Sequence, residues 1–243
     1  ALAAGVPVER LVLHGNNKSV AELTRAREVG VGRVVVDSLD ELDRLEALHG
    51  EDGRVPRVLL RVTPGIEAHT HEFIATGQDD SKFGFNLGNG DAMRAVERAH
   101  ESASMRLVGL HCHIGSNVFE ASSFGKAAEV MAAFAVPLDL PELVLGGGLG
   151  VAYVETEEAP TITQWGSVLR DASDALGVRS RIGIEPGRSI VAAGAVTVYT
   201  VGTVKHIPGV RTYISVDGGM SDNPRPVLYG SGYEAFLPRA PFA

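Results

Sequence analysis

Arg33-Val34-Val35-Val36-Asp37-Ser38-Leu39-Asp40-Glu41-Leu42-Asp43-Arg44-Leu45 is the stretch that decides the architecture. Its opening run of valines is apolar throughout and of strand length, the pattern of a strand covered on both faces. The polarity changes abruptly at Asp37. Ser38 followed by Glu41 has the spacing of a capping box, in which hydroxyl and carboxylate satisfy the free N–H groups of a helix start, and Leu39, Leu42, Leu45 and Leu48 continue as a helical stripe. One strand leading into one helix is half of a βαβ unit.

The pattern repeats on both sides. Strand-like runs occupy residues 11–14, 33–36, 58–62, 107–113, 143–146 and 181–185, and helices are expected after Ser19 with Glu22, a second capping box, and over 91–101, 123–135 and 163–175. Strands alternating with helices imply right-handed crossovers and a parallel sheet, open or closed into a barrel. Six units are visible against the eight of a closed barrel, and Ala1-Leu2-Ala3-Ala4-Gly5 leads almost directly into the first strand. The expectation is an α/β fold: a partial (β/α)8 barrel over residues 1–190, cut from a longer chain and lacking about two upstream units. Beyond Arg188 the texture changes. Residues 195–204 are rich in Val and Thr, 212–216 follow, and Gly and Pro punctuate the rest without a helical stripe, so 191–243 reads as the beginning of a C-terminal β domain.

Composition excludes several functions. The 243 residues carry 22 Lys and Arg against 30 Asp and Glu, a formal net charge of −8, which offers no general attraction to nucleic acid or to an anionic membrane surface. The longest charge-free stretch, 189–204, is interrupted by Gly and Thr and is shorter than the roughly 18 apolar residues of a spanning helix. No basic region leading into an apolar one marks a signal peptide. The single cysteine, Cys112, forms no internal disulfide and is compatible with a reducing cytoplasm.

In a parallel barrel the loops after the C-terminal strand ends build the active site. Here those ends are His14-Gly15-Asn16-Asn17-Lys18, Asp37-Ser38, Arg61, His111-Cys112-His113-Ile114-Gly115-Ser116, Gly146-Gly147-Gly148-Leu149-Gly150 and Glu185-Pro186-Gly187-Arg188. Gly146, Gly147 and Gly148 offer unobstructed backbone N–H groups and Arg188 a permanent cation, as an anion site needs. The same glycines also suit a tight turn, with Arg188 paired to a surface carboxylate. Period-two alternation places His111 and His113 on one side of their strand and Cys112 on the other. The two histidines fit a metal pair, an imidazole packed on an aromatic cofactor with Ser116 on its phosphate, or hydrogen-bonded interior groups. Glu185 needs a partner if buried, either Arg188 or a protonated ring nitrogen. Arg225 and Tyr229 form a donor pair able to hold a carboxylate, or are ordinary loop residues.

Taken together and in this order, these motifs resemble the diaminopimelate decarboxylases, pyridoxal-phosphate enzymes of the alanine-racemase-like fold. The likeness extends over essentially the whole chain and also rests on Thr63-Pro64-Gly65-Ile66-Glu67-Ala68-His69-Thr70-His71, Ser81-Lys82-Phe83-Gly84 and Asp217-Gly218-Gly219-Met220-Ser221-Asp222. The resemblance implies decarboxylation of meso-diaminopimelate to L-lysine, the last step of lysine biosynthesis, by a cytoplasmic homodimer that shares its active sites. It implies that His113 stacks on the pyridine ring and Glu185 binds the ring nitrogen. Ser116, Gly146, Gly147, Gly148, Gly187 and Arg188 would hold the cofactor phosphate, with Pro186 also at the cofactor and Arg188 also near the substrate, and Arg225 and Tyr229 would grip the far carboxylate of the substrate. No metal is implied.

The family's Schiff-base lysine belongs to an early barrel strand, and the partner subunit's cysteine motif and a late tyrosine to a C-terminal segment; none has a counterpart in this sequence. Lys18, Lys82, Lys126 and Lys205 do not match the lysine position, and Lys18 reads as a solvated residue at a helix start. The expectation is an inactive chain whose intact gene product is the enzyme. The competing readings are a decarboxylase for ornithine, arginine or a polyamine precursor, a catalytically silent cofactor-binding regulator, and a metal-dependent barrel hydrolase using the His-x-His pair.

Overall fold

The computed structural model describes residues 1–48, 50, 53–66, 77 and 79–240. The Glu67 to His71 part of the Thr63-led motif lies outside the described residues. Strands β1 (Val12–Leu13), β2 (Arg33–Val36), β3 (Arg57–Thr63), β5 (Arg106–His111), β6 (Glu142–Val144) and β7 (Arg181–Gly183) pair in that order, all parallel. They sweep through 202° as a half-barrel of six strands. A short strand not expected from sequence, β4 (Phe85–Asn86), pairs with the C-terminal end of β3.

Helices α1 (Val20–Val29), α2 (Leu39–Ala47), α3 (Asp91–Glu101), α4 (Ala121–Ala135) and α5 (Ile162–Ala175) follow the strands. The caps explain their starts. Ser19 and Glu22 form the full capping box, as do Thr161 and Gln164, a pair outside the motifs singled out above. Ser38 makes only half of one. Its hydroxyl accepts from the Glu41 N–H, but the Glu41 carboxylate accepts from the Asp37 N–H instead, because it is drawn inward to Lys18.

Alternation along each strand separates two layers. Val34, Val36, Val58, Leu60, Val62, Leu110, Cys112, Leu143 and Leu145 face outward and join Leu23, Leu42, Leu45, Phe124 and Trp165 from the helices in one buried core. Phe124 and Trp165 meet edge to face at 5.7 Å and fasten α5 to α4. Inside the curve, Val35, Leu59, Val108 and Val144 form a small apolar plug. Above it, at the C-terminal strand ends, the interior turns polar with Asp37, Arg61 and His111, all buried.

The C-terminal part departs from expectation in detail. Strands β8 (Val201–Ile207) and β9 (Arg211–Val216) form a separate antiparallel hairpin, so the first begins six residues later than the 195–204 run suggests. Two single-turn helices occur where no helical stripe is legible, α6 (Gly187–Val191) and α7 (Arg225–Tyr229). Both are too short to build a stripe.

Candidate active site

The three C-terminal loops predicted to act together are joined by their backbones. The Glu185 N–H donates to Gly146 O at 2.7 Å, Val118 N–H to Gly148 O at 2.9 Å, and Gly150 N–H to Val118 O at 2.9 Å. Only glycine permits this approach: a Cβ on Gly147 would lie 1.9 Å from Glu185 O, and one on Gly148 1.9 Å from Gly115 O. Gly146 and Gly148 also take positive φ angles, 66° and 99°. The Gly147→Ala substitution is therefore expected to push the β7 end outward, lowering the unfolding free energy by about 1–3 kcal/mol, the range for overpacking. Urea unfolding checks it; an unchanged midpoint would show that the loops are not locked together.

The strand after residue 106 ends at His111, so His113 sits in the loop rather than on the strand. Its Nδ1 accepts from the Gly147 N–H at 3.3 Å, which sets the ring's orientation. Burial, and then the charge of Arg61, lower its pKa from 6.5 to about 4, so the ring is neutral at physiological pH. The unfolded chain binds a proton that folded His113 refuses between those values, and stability should fall as pH drops from about 6.5 towards 4, by at most about 3 kcal/mol. Denaturant midpoints at pH 7 and pH 4.5 test this, and a His113→Gln variant should lose much of the dependence.

Glu185 lies two residues past β7, with its side chain one-third exposed. His14 Nε2 stands 3.0 Å from its Oε1 and His111 Nε2 3.0 Å from its Oε2. Burial alone would raise this carboxyl, but the hydrogen bonds from His111 and His14 override it and hold the group well below the usual carboxylate range. His111, 1% exposed, is itself lowered by burial against the pull of Glu185, so the contact is a neutral N–H donating to a carboxylate rather than an ion pair. The expected alternative, Glu185 paired with Arg188, is not observed. Arg188 instead donates to the Tyr153 hydroxyl at 2.6 Å, and Tyr153, which no sequence motif flags, packs 5.4 Å from Tyr233.

His14, Arg61, His111, His113 and Glu185 line one cavity of about 560 Å³ together with Arg10, Leu11 and Val12. A larger concavity of about 660 Å³, between Phe119 and the start of α5, has Glu158 as its one charged lining residue. The first cavity is thus the one with convergent chemistry. His14, His111 and Glu185 each offer a ligand atom within 4.8 Å of the others, a set able to take a metal ion; the metal pair considered from sequence, His111 with His113, is not the cluster found. Cys112 is buried on the opposite, helix-facing side, and burial pushes its thiol up to about 12, so it is inert packing.

Behind the cavity lies a buried ionic cluster. Lys18 is 2% exposed, contrary to the solvated role expected of it; its Nζ lies 2.8 Å from Glu41 Oε1 and 3.9 Å from Asp37 Oδ2, and also donates to Gly15 O. Asp37 Oδ1 in turn lies 3.7 Å from Arg61 Nη1 and accepts from the Gly84 N–H, while the Arg61 guanidinium covers the Phe83 ring at 4.3 Å. The Ser81-Lys82-Phe83-Gly84 motif is therefore a buttress for Arg61.

Arg225 and Tyr229 are brought together on α7, with the guanidinium 5.4 Å from the ring centre, and Arg225 reaches Ser231 Oγ at 3.5 Å. Neither lines the cavity that His113 and Glu185 share. The segment that follows packs Tyr233 on Tyr153, the partner of Arg188. Ser116 lies in the loop that Gly148 abuts through Gly115.

A model of the pyridoxal-dependent decarboxylases, pyridoxal binding domain, matches residues 1–192. The chain belongs to this family. Among curated relatives, diaminopimelate decarboxylases of Mycobacterium tuberculosis H37Rv and Bacillus subtilis 168 are each 46% identical, over 98% and 97% of this chain respectively. The chain spans 57% and 56% of those proteins. Among solved structures, diaminopimelate decarboxylase from Helicobacter pylori complexed with L-lysine superposes with a TM-score of 0.84 at 32% identity, covering 96% of this chain and 58% of that one. Diaminopimelate decarboxylase from M. jannaschii in co-complex with L-lysine gives 0.86 at 30% identity, covering 96% and 55%. Membership in this family implies pyridoxal phosphate as the cofactor. Among the described residues, no helix is long and apolar enough to cross a membrane.

Proposed function

We propose that the full-length protein decarboxylates meso-diaminopimelate to L-lysine with pyridoxal phosphate held at the open end of the half-barrel. The observation that carries the reading is the cavity itself, where a neutral imidazole, oriented by the Gly147 N–H of the adjoining glycine loop, and an ionised carboxylate converge at the C-terminal ends of parallel strands. The 46% identity to named diaminopimelate decarboxylases supports the substrate.

The residues present fit the cofactor. Gly146, Gly147, Gly148, Ser116, Gly187 and Arg188 would hold its phosphate, on loops that backbone hydrogen bonds tie to one another, and Pro186 would lie beside the cofactor. His113, neutral and oriented by Gly147, offers a flat face for the ring. Glu185 stays ionised and so favours a protonated ring nitrogen. Pyridoxal phosphate, when bound, supplies an electron sink for the pair left as carbon dioxide departs. Arg188 would orient the reacting end of the substrate. Arg225 and Tyr229 would hold the far carboxylate, a task for donors, whereas ornithine or arginine presents a cationic tail there.

We place the boundary between barrel and β domain near residue 190, and the active sites at the interface of a cytoplasmic homodimer, as the family resemblance implies. The test is carbon dioxide release by the intact gene product with pyridoxal phosphate, offered meso-diaminopimelate, ornithine and arginine in parallel. Release from diaminopimelate alone is expected. Release from ornithine or arginine instead would overturn the role of Arg225 and Tyr229, and release from none with cofactor bound would make the protein a silent binding homologue.

A further inference from the structure

We infer that His14 and His111 are positioning residues for the decarboxylation: from two different strands they grip the two oxygens of Glu185 and aim its carboxylate at the ring nitrogen of the cofactor. The inference rests on the function proposed above and deepens it.

The geometry is one that the half-barrel has to create. β1 and β7 are the two edges of the parallel sheet, and β5 lies between them. Glu185, after β7, nevertheless touches His14, just after β1, and His111, the last residue of β5, at 3.0 Å each and on separate oxygens. The carboxylate therefore reaches across the curved interior and is held at two points. A glutamate side chain with one-third exposure would otherwise keep its rotamer freedom and be solvated by water. Two donors on two oxygens fix both the position and the plane of the group, which is what a preorganised electrostatic partner requires.

The hydrogen-bond inventory fixes the tautomer as well. His111 Nδ1 is buried and has no hydrogen-bond partner among the described residues, so a proton there would be an unsatisfied buried donor. The ring proton belongs on Nε2, the atom that faces Glu185. His14 stands edge to face against His111, with ring centres 5.1 Å apart, and each ring limits the tilt of the other. An ionised carboxylate can accept at about four lone-pair sites, so two imidazoles leave capacity for a third donor, the protonated ring nitrogen.

The experiment uses the full-length enzyme loaded with pyridoxal phosphate and four variants: His14→Ala, His111→Leu, and the donor-retaining His14→Gln and His111→Gln. The first two should lower kcat by about tenfold to a hundredfold with KM nearly unchanged, the scale of one lost hydrogen bond to a charged group. They should also shift the visible absorption of the bound cofactor, which reports the protonation of its ring. The glutamine variants should recover most of the rate and the wild-type spectrum, a rescue that a packing role would not produce. His14 is partly exposed, so His14→Ala decides the matter even if His111→Leu fails to fold. A cofactor-loaded His14→Ala enzyme with wild-type kcat and spectrum overturns the inference. Glu185→Gln, measured alongside, separates the two levels: if it too is fully active, the proposed function of the cavity fails, whereas loss in Glu185→Gln with none in the histidine variants sinks the positioning role alone.

Discussion

Replacing Glu185 by Gln in the full-length protein is expected to lower decarboxylation by roughly 10²–10³-fold, the loss seen when one preorganised charge-stabilising group is removed from an active site. The amide has nearly the shape of the carboxylate, so the fold should survive. It keeps one carbonyl oxygen for one of the two imidazoles but turns a donor towards the other, and it no longer carries the charge that favours a protonated ring nitrogen. The rate loss should therefore appear in kcat while cofactor remains bound through the phosphate loops, which do not use the Glu185 side chain. Steady-state kinetics with cofactor content measured on the same sample tests this. A Glu185→Gln enzyme that turns over at the wild-type rate would show that the carboxylate does not serve the cofactor.

The largest effect on stability is expected from Lys18→Met, about 3–5 kcal/mol, because removing one member of a buried ionic cluster leaves its partners charged and unpaired. Glu41 and Asp37, each buried, face Lys18 at 2.8 and 3.9 Å, and Arg61 would be left as the cation of the cluster against both. Burial already raises both carboxyls above their ordinary range, against the lowering pull of Lys18 on Glu41 and of Arg61 and Lys18 on Asp37. Without the lysine they rise further. A carboxyl whose folded pKa lies above its unfolded value contributes stability that is present at low pH and lost as pH rises through that interval. The deficit of the variant should accordingly be smaller at pH 5 than at pH 8, as shown by urea midpoints at the two values. A uniform deficit would mean that only packing of the lysine stem was lost.

How much of the molecule is legible in its sequence varies with the range of the interaction. The parallel strands are legible as short apolar runs, most clearly β2 and β3, which are buried along almost their whole length, and α1 announces itself through Ser19 and Glu22, local signals a few residues apart. β4 is not, because Phe85-Asn86 stands in no apolar run. The loops carrying His113, Gly147 and Glu185 stand out as polar strand ends, a consequence of topology. The grip on Glu185 does not, since His111 lies 74 residues away and only the curvature of the sheet brings the pair together. Lys18 misleads for the same reason. Beside a helix start it has the look of a solvated residue, and its countercharges arrive from the next strand and helix. Tyr153 sits in a loop without periodicity, and only its contact with Arg188 discloses it.

On the proposed function, the cavity lined by His14, Arg61, His111, His113 and Glu185 is the pyridoxal phosphate site. The most direct measurement is a crystal structure of the full-length protein grown with the cofactor. The ring is expected against His113, its nitrogen within hydrogen-bonding distance of the Glu185 carboxylate, and the phosphate among Ser116, Gly146, Gly147, Gly148, Gly187 and Arg188. Cofactor bound elsewhere, or a metal ion seated between His14, His111 and Glu185, would contradict it.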